Sequence, residues 1–298
     1  MLRAVLAFAA ALMLAAPAAA ADKYATNGGV KIHYVVEGEG PLVVMLHGFP
    51  DYWASWKPLM AELNKAGYRT AALDLRGYNL SDKPQGVAAY AMPNLVGDVA
   101  AVIAAEGQKD AVVIGHDWGA AIAWQVAMNR PDLTRRLVIM SVPHPATFRR
   151  EMATNKDQQQ NSQYARNFQQ EGFEKNLTAE GLANWVKDPA EKPGYVEAFK
   201  RSDFTAMLNY YRANYPSGTG DQATAPAGVA TDQRVKAPTL VIHGMKDTAL
   251  NAAGHSGSWD YIDADTTIVM IPEAAHFVQH DAEAMVNRTV KDWLAQRK

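Results

Sequence analysis

The 298-residue chain is 48% apolar and 20% charged, with a formal net charge of −2. That is the composition of a globular protein with ample core, without the broad positive field that attracts nucleic acid or an anionic membrane. Its length suits one large α/β domain carrying an insertion, and the absence of cysteine excludes disulfides, a thiol nucleophile and lipid attachment through an N-terminal Cys. Met1 to about Ala21 opens with one cation, Arg3, followed by an apolar run from Ala4 through Leu14 and small residues leading to Asp22 and Lys23. That order is the pattern of a secretory signal peptide, with cleavage expected near Ala20 or Ala21 in an Ala-x-Ala context. The Ala-rich run is marginal for a bilayer-spanning anchor. The expected product is exported, periplasmic or secreted, with no stable membrane insertion after cleavage.

Lys31–Glu37 alternates apolar and polar residues between Gly-rich turns, as an antiparallel strand near a sheet edge does. Wholly apolar runs follow at Leu42–Leu46, Thr70–Leu73, Ala111–Ile114, Leu137–Met140, Thr239–Ile242 and Thr267–Ile271. Each ends at a turn signal and suits a strand buried on both faces of a mostly parallel sheet. Helical patterns lie between them at Trp56–Ala66, Met92–Glu106 and Ala120–Met128, and Ala282–Gln296 closes the chain. This alternation predicts an α/β sheet flanked by helices. It stops after Pro143. Residues 146–237 are polar and rich in Gln, Asn and aromatics, and read as a mainly helical cap inserted between two core strands. Within it, Pro216–Gly228 reads as a loop. The expected organisation is a signal peptide over 1–21, an α/β core over 22–145 and 238–298, and a cap over 146–237.

The strongest chemical signal is Gly115-His116-Asp117-Trp118-Gly119 between a strand and a helix. Small residues flank a nucleophile where a strand turns sharply into a helix, leaving no room for bulk. Asp117 holds the nucleophile position. His47-Gly48-Phe49-Pro50, after the strand Leu42–Leu46, is placed to supply an oxyanion hole with the backbone N–H of Phe49, and the N–H of Trp118 supplies the second donor. His276 follows the last strand, where a base is expected when the order is nucleophile, acid, His; His280 is its rival. The four-residue spacing of those histidines suits a metal pair only with a third ligand and a helix. Asp247, after the strand Thr239–Ile242, is the natural acid to orient the base. The other position for that acid, after Leu137–Met140, reads Ser141-Val142-Pro143-His144-Pro145 and has no carboxylate.

An Asp nucleophile displaces a leaving group from saturated carbon and is itself esterified, after which His276 activates water against the ester. Epoxides and alkyl halides are the two substrate classes this chemistry fits. From about Ile32 onward the chain resembles the epoxide hydrolase branch of the α/β-hydrolase superfamily, which is related to the haloalkane and fluoroacetate dehalogenases. Asp74-Leu75-Arg76-Gly77-Tyr78 with Ser81-Asp82-Lys83-Pro84, and Val142-Pro143-His144-Pro145, are similar to loops of that branch, with Asn79 standing where Gly is commoner. The resemblance implies two cap tyrosines that protonate the epoxide oxygen. Tyr211, in Leu208-Asn209-Tyr210-Tyr211-Arg212, matches one, with Tyr210 as its alternative, and Tyr164 matches the other. Three departures separate the chain from the dehalogenases: Phe49 replaces their halide-binding Asn, Trp118 and Ala121 stand where fluoroacetate enzymes carry Arg, and Tyr164-Ala165 replaces their His-Trp pair. The expected function is hydrolysis of a small epoxide to a vicinal diol with water and no cofactor. A dehalogenase, or a ligand-binding protein that has lost turnover, are the alternatives.

Overall fold

The structure is a computed structural model and describes residues 20–216 and 226–297. The expected signal segment up to residue 19 and most of the expected Pro216–Gly228 loop lie outside the described residues. Eight strands form one sheet in the order β1-β2-β4-β3-β5-β6-β7-β8. They are β1 (Ala21–Asn27), β2 (Val30–Glu37), β3 (Leu42–Leu46), β4 (Arg69–Leu73), β5 (Ala111–His116), β6 (Thr134–Met140), β7 (Thr239–Gly244) and β8 (Thr266–Ile271). β2 pairs antiparallel with β1 and β4, and every pairing from β4 onward is parallel.

Successive side chains of a strand point to opposite faces, so a strand buried on both faces is apolar throughout. β3 shows this directly. Leu42, Val44 and Leu46 join the core on one face while Val43 and Met45 join that on the other. Helices α1 (Lys57–Lys65), α2 (Met92–Ala105) and α3 (Trp118–Asn129) connect the strands. Between β6 and β7 the chain forms α4 (Pro145–Thr154), α5 (Lys156–Asn161), α6 (Gln163–Gln169), α7 (Ala179–Leu182), α8 (Lys192–Arg201) and α9 (Phe204–Asn214). This is the α/β-hydrolase architecture, with the inserted helical layer over the C-terminal ends of the central strands. The chain closes with α10 (Val278–Asp281) and α11 (Glu283–Ala295), two helices where the pattern predicted one. Among the described residues no helix is long and apolar enough to cross a membrane.

Three strands differ from expectation. β1 begins at Ala21, where the leader was expected to end, and its polar sequence gives no strand signal. β2 alternates in sequence but is buried from Ile32 through Val36, because the ring of His33 bridges buried Asp74 at 2.7 Å and Asp22 at 2.9 Å. The run Thr267–Ile271 lies in an edge strand paired only with β7, so most of β8 is half-exposed and not covered on both faces.

Candidate active site

The turn from β5 into α3 holds Asp117 at φ +50° and ψ −121°, a backbone conformation a non-glycine residue adopts only under constraint. Three glycines make it possible. A Cβ on Gly115 would lie 2.2 Å from the carbonyl oxygen of Gly119, and one on Gly119 would lie 2.0 Å from that of Leu46. A Cβ on Gly48 would meet the Cβ of Asp117 at 2.3 Å. Both clashes of the flanking pair are with backbone, which cannot swing aside.

This close approach of two loops aims Asp117 between three elements. The N–H of Phe49 donates to its Oδ1 at 2.7 Å, and Nε2 of His276 lies 3.3 Å from its Oδ2. Among the described residues, Phe49 supplies the one amide bonded to that carboxylate. The amide of Trp118 lies in the first turn of α3, where helix geometry leaves N–H groups unused. Nδ1 of His276 lies 2.8 Å from Oδ2 of Asp247, whose Oδ1 accepts the N–H groups of Ala249 and Leu250 at 2.7 and 3.0 Å. The structure thus brings Asp117, His276, Asp247 and Phe49 together.

The electrostatics follow from that contact. Burial alone lowers the His276 pKa, but the charge of Asp247 and the hydrogen bond and charge of Asp117 outweigh it and push it up to about 10. Burial raises both carboxylates, and the same imidazolium returns each below its ordinary value, helped at Asp117 by the Phe49 amide. The site is a carboxylate–imidazolium–carboxylate array at neutral pH.

Across an apolar cleft from Asp117 stand Tyr164 and Tyr211, their rings 6.2 Å apart between centroids. Burial raises both hydroxyls well above the ordinary value, with the charge of Asp117 adding to it, so both are neutral O–H donors. Tyr210, the alternative, points away: its hydroxyl is buried and donates to the carbonyl of Arg76 at 2.9 Å. His280 is engaged elsewhere, with Nε2 2.6 Å from Ser55 Oγ, which in turn donates to Asp51 at 2.7 Å. Both ring nitrogens of His276 face carboxylates, and among the described residues no group of three His, Cys, Asp or Glu side chains is arranged to hold a metal.

The model for the alpha/beta hydrolase fold family matches residues 41–283. The AB hydrolase superfamily protein YfhM of Bacillus subtilis is 32% identical over 91% of this chain and 97% of its own length. Epoxide hydrolase 1 of Caenorhabditis elegans is 32% identical over 92% of the chain and 70% of its own. A crystal structure of a mutant of an epoxide hydrolase from Bacillus megaterium superposes with a TM-score of 0.83 at 32% identity, covering 92% of this chain and all of that one. The chain belongs to the α/β-hydrolase family, in its epoxide hydrolase branch.

Two residues of this α/β-hydrolase support the site although sequence reasoning gave neither a role. Nε2 of His116 and Oγ of Ser141 lie 2.9 and 2.7 Å from the backbone carbonyl of His276, fixing the loop that carries the imidazole. Burial holds the His116 pKa down to about 3, so the ring is neutral and donates through Nε2–H. His116 sits between Gly115 and Asp117, so its position in the motif was the available signal. Ser141, at φ +69°, gave none.

Proposed function

We propose that this chain is an epoxide hydrolase in which Asp117 is the covalent nucleophile, His276 with Asp247 activates water, and Tyr211 and Tyr164 protonate the epoxide oxygen. The observation that carries this reading is the pair of neutral tyrosine hydroxyls sharing one apolar cleft with the Asp117 carboxylate. A departing alkoxide needs a proton, and a departing halide does not.

The two oxygens of Asp117 take different parts. Oδ2, free of amide donors, attacks a ring carbon; the carbon–oxygen bond of the epoxide breaks and its oxygen takes a tyrosine proton. Asp117 is now a neutral ester, so one of the charges raising the His276 pKa is gone. The imidazolium releases its proton, restoring the tyrosine. Neutral His276 then takes a proton from water as hydroxide adds to the ester carbonyl carbon. Charge develops on Oδ1, held by the Phe49 N–H and expected to gain that of Trp118. Collapse expels the diol oxygen, which takes the remaining carboxyl proton. Asp117 carboxylate and His276 imidazolium are regenerated, and epoxide plus water has become diol.

The test is trapping on His276→Gln, which forms the ester and hydrolyses it slowly. The variant is incubated separately with small epoxides and with alkyl halides, followed by intact mass and peptide mapping. An epoxide adduct on Asp117 supports the assignment. Adducts from halides alone make the enzyme a dehalogenase, and none from either panel points to a binding protein. We also read the chain as exported; the N-terminal residue of protein recovered from the extracytoplasmic fraction, near Ala20 or Ala21, tests that, and an uncleaved cytoplasmic protein refutes it.

A further inference from the structure

One wall of the cleft that holds Asp117 is a stretch without regular structure, after the inserted helices, in which Pro226, Val229 and Thr231 face the cavity. Such a wall has no sheet or helix ladder to fix it. What fixes it is a side chain of α3, the helix that begins at Asp117. Nε2 of buried Gln125 donates to the carbonyl of Ala230 at 2.6 Å, and the N–H of Ala230 donates back to Oε1 of Gln125 at 2.8 Å. One primary amide thus pairs with the backbone as a neighbouring strand does. Asn129 Nδ2 adds a donor to the same Oε1 at 3.1 Å, setting the orientation of the amide. Among the described residues the wall is also held by Val229 and Ala230 packing on the core, by a turn bond from the Val229 N–H to the Pro226 carbonyl at 3.3 Å, by a surface contact from Arg149 to Thr231 Oγ1 at 3.1 Å, and by Gly228 lying against Pro93.

We propose that Gln125 is a specificity-determining residue that sets the width of the substrate cleft by fixing residues 226–231, and so selects epoxides by the size of their apolar substituent. Gln125 itself borders the cleft beside this wall, and its part is that of a positioning residue, acting through the wall on whichever substituent extends away from Asp117. The cleft as a whole is predominantly apolar, so the substituent it grips is an alkyl or aryl group. With the amide pair broken, the wall retreats: small epoxides lose contact and bulky ones gain room. The inference rests on the epoxide hydrolase reading for its substrates, but the latch itself is read without them.

The experiment compares wild type, Gln125→Leu and Gln125→Glu by amide hydrogen exchange across 226–231, and by kcat and KM for alkyl and aryl epoxides of graded size. Leu has similar volume and neither hydrogen bond. Expected are exchange at Ala230 faster by about tenfold or more, and a shift of about tenfold or more in the ratio of kcat/KM for bulky over small epoxides, carried by KM. Glu retains the acceptor for the Ala230 N–H but, ionised, sets a second carboxylate oxygen against the Ala230 carbonyl. Protonated, it donates there. The size ratio of this variant is therefore wild-type-like at low pH and leucine-like at high pH, a swing within one folded protein that a general packing defect does not produce. Unchanged exchange in both variants refutes the latch. Faster exchange with an unchanged size ratio refutes its role in selectivity. A wild type that turns over no epoxide refutes the functional reading, while exchange still decides the latch.

Discussion

Replacing Asp247 by Asn separates the two halves of the proposed reaction. The carboxylate has no solvent exposure, the imidazole 16%, and they meet at 2.8 Å. With charge centres on the order of 4 Å apart and an effective dielectric of about 20, the pair is worth about 4 kcal/mol. That is about three pKa units removed from His276. Orientation adds to the loss. Oδ1 of Asp247 accepts the Ala249 and Leu250 amides, so Asn keeps its oxygen there and turns NH2 toward Nδ1. The imidazole is then held with its proton on Nε2 and cannot take one from water. Ester hydrolysis is expected to slow by about a thousandfold or more. Alkylation, which uses the Asp117 carboxylate and the tyrosines, slows far less. Rapid-quench intact-mass spectrometry under excess epoxide reads the balance: nearly all of the variant carries the ester in steady state, a larger share than in wild type. Turnover within tenfold of wild type, or a large loss without ester accumulation, refutes the assignment of Asp247 and His276 to the second half-reaction.

Tyr211→Phe is expected to slow alkylation of Asp117 by about a hundredfold or more, measured as single-turnover ester formation in a His276→Gln background. Tyr210→Phe leaves that rate near its control and instead costs about 1–3 kcal/mol in denaturant unfolding, because the buried carbonyl of Arg76 loses its donor. Gly119→Ala drives a Cβ against the Leu46 carbonyl and destabilises the fold by about 1–3 kcal/mol or more; unfolding within experimental error of wild type contradicts the steric account of the elbow. Asp51 is fully buried, and burial outweighs its hydrogen bonds from Ser55 and Tyr52 to raise its pKa to about 8. Between its unfolded pKa near 4 and about 8 the folded state holds a proton that the unfolded chain has released, so this group makes stability fall as pH rises. Wild-type minus Asp51→Asn stability is therefore expected to decline across that window by at most about 1.4 kcal/mol per pH unit; a flat difference removes Asp51 from the account.

The central strands were legible because burial on both faces leaves a local record, an unbroken apolar run. β8 carries the same record at the sheet edge, since composition does not reveal whether a neighbour follows. β1 left no record: Ala21–Asn27 is mostly polar, and what ties it down includes a bond from Asp22 to a histidine on another strand. His33 misled for a related reason. A histidine in an alternating strand reads as facing solvent, and only the distant Asp74 shows that it is buried and paired.

The site divides the same way. Asp117 was readable because steric necessity writes itself into adjacent positions, Gly115 and Gly119. Contacts made across the fold leave no spacing to read, which is why Gln125 with Ala230 and Ser141 with His276 were invisible. Ser141 shows how the two kinds of information join. It opens the segment Ser141–Pro145, where a fold of this kind can carry the acid and where the sequence offers no carboxylate. In the structure its hydroxyl grips the carbonyl of His276, while Asp247 approaches the same residue from the end of β7 and engages the ring. A carboxylate at 141 in this geometry would face a carbonyl oxygen and be repelled. The orientation of the base loop and the choice of Asp247 as its acid are therefore one arrangement, and moving the acid to position 141 requires rebuilding the loop that carries His276.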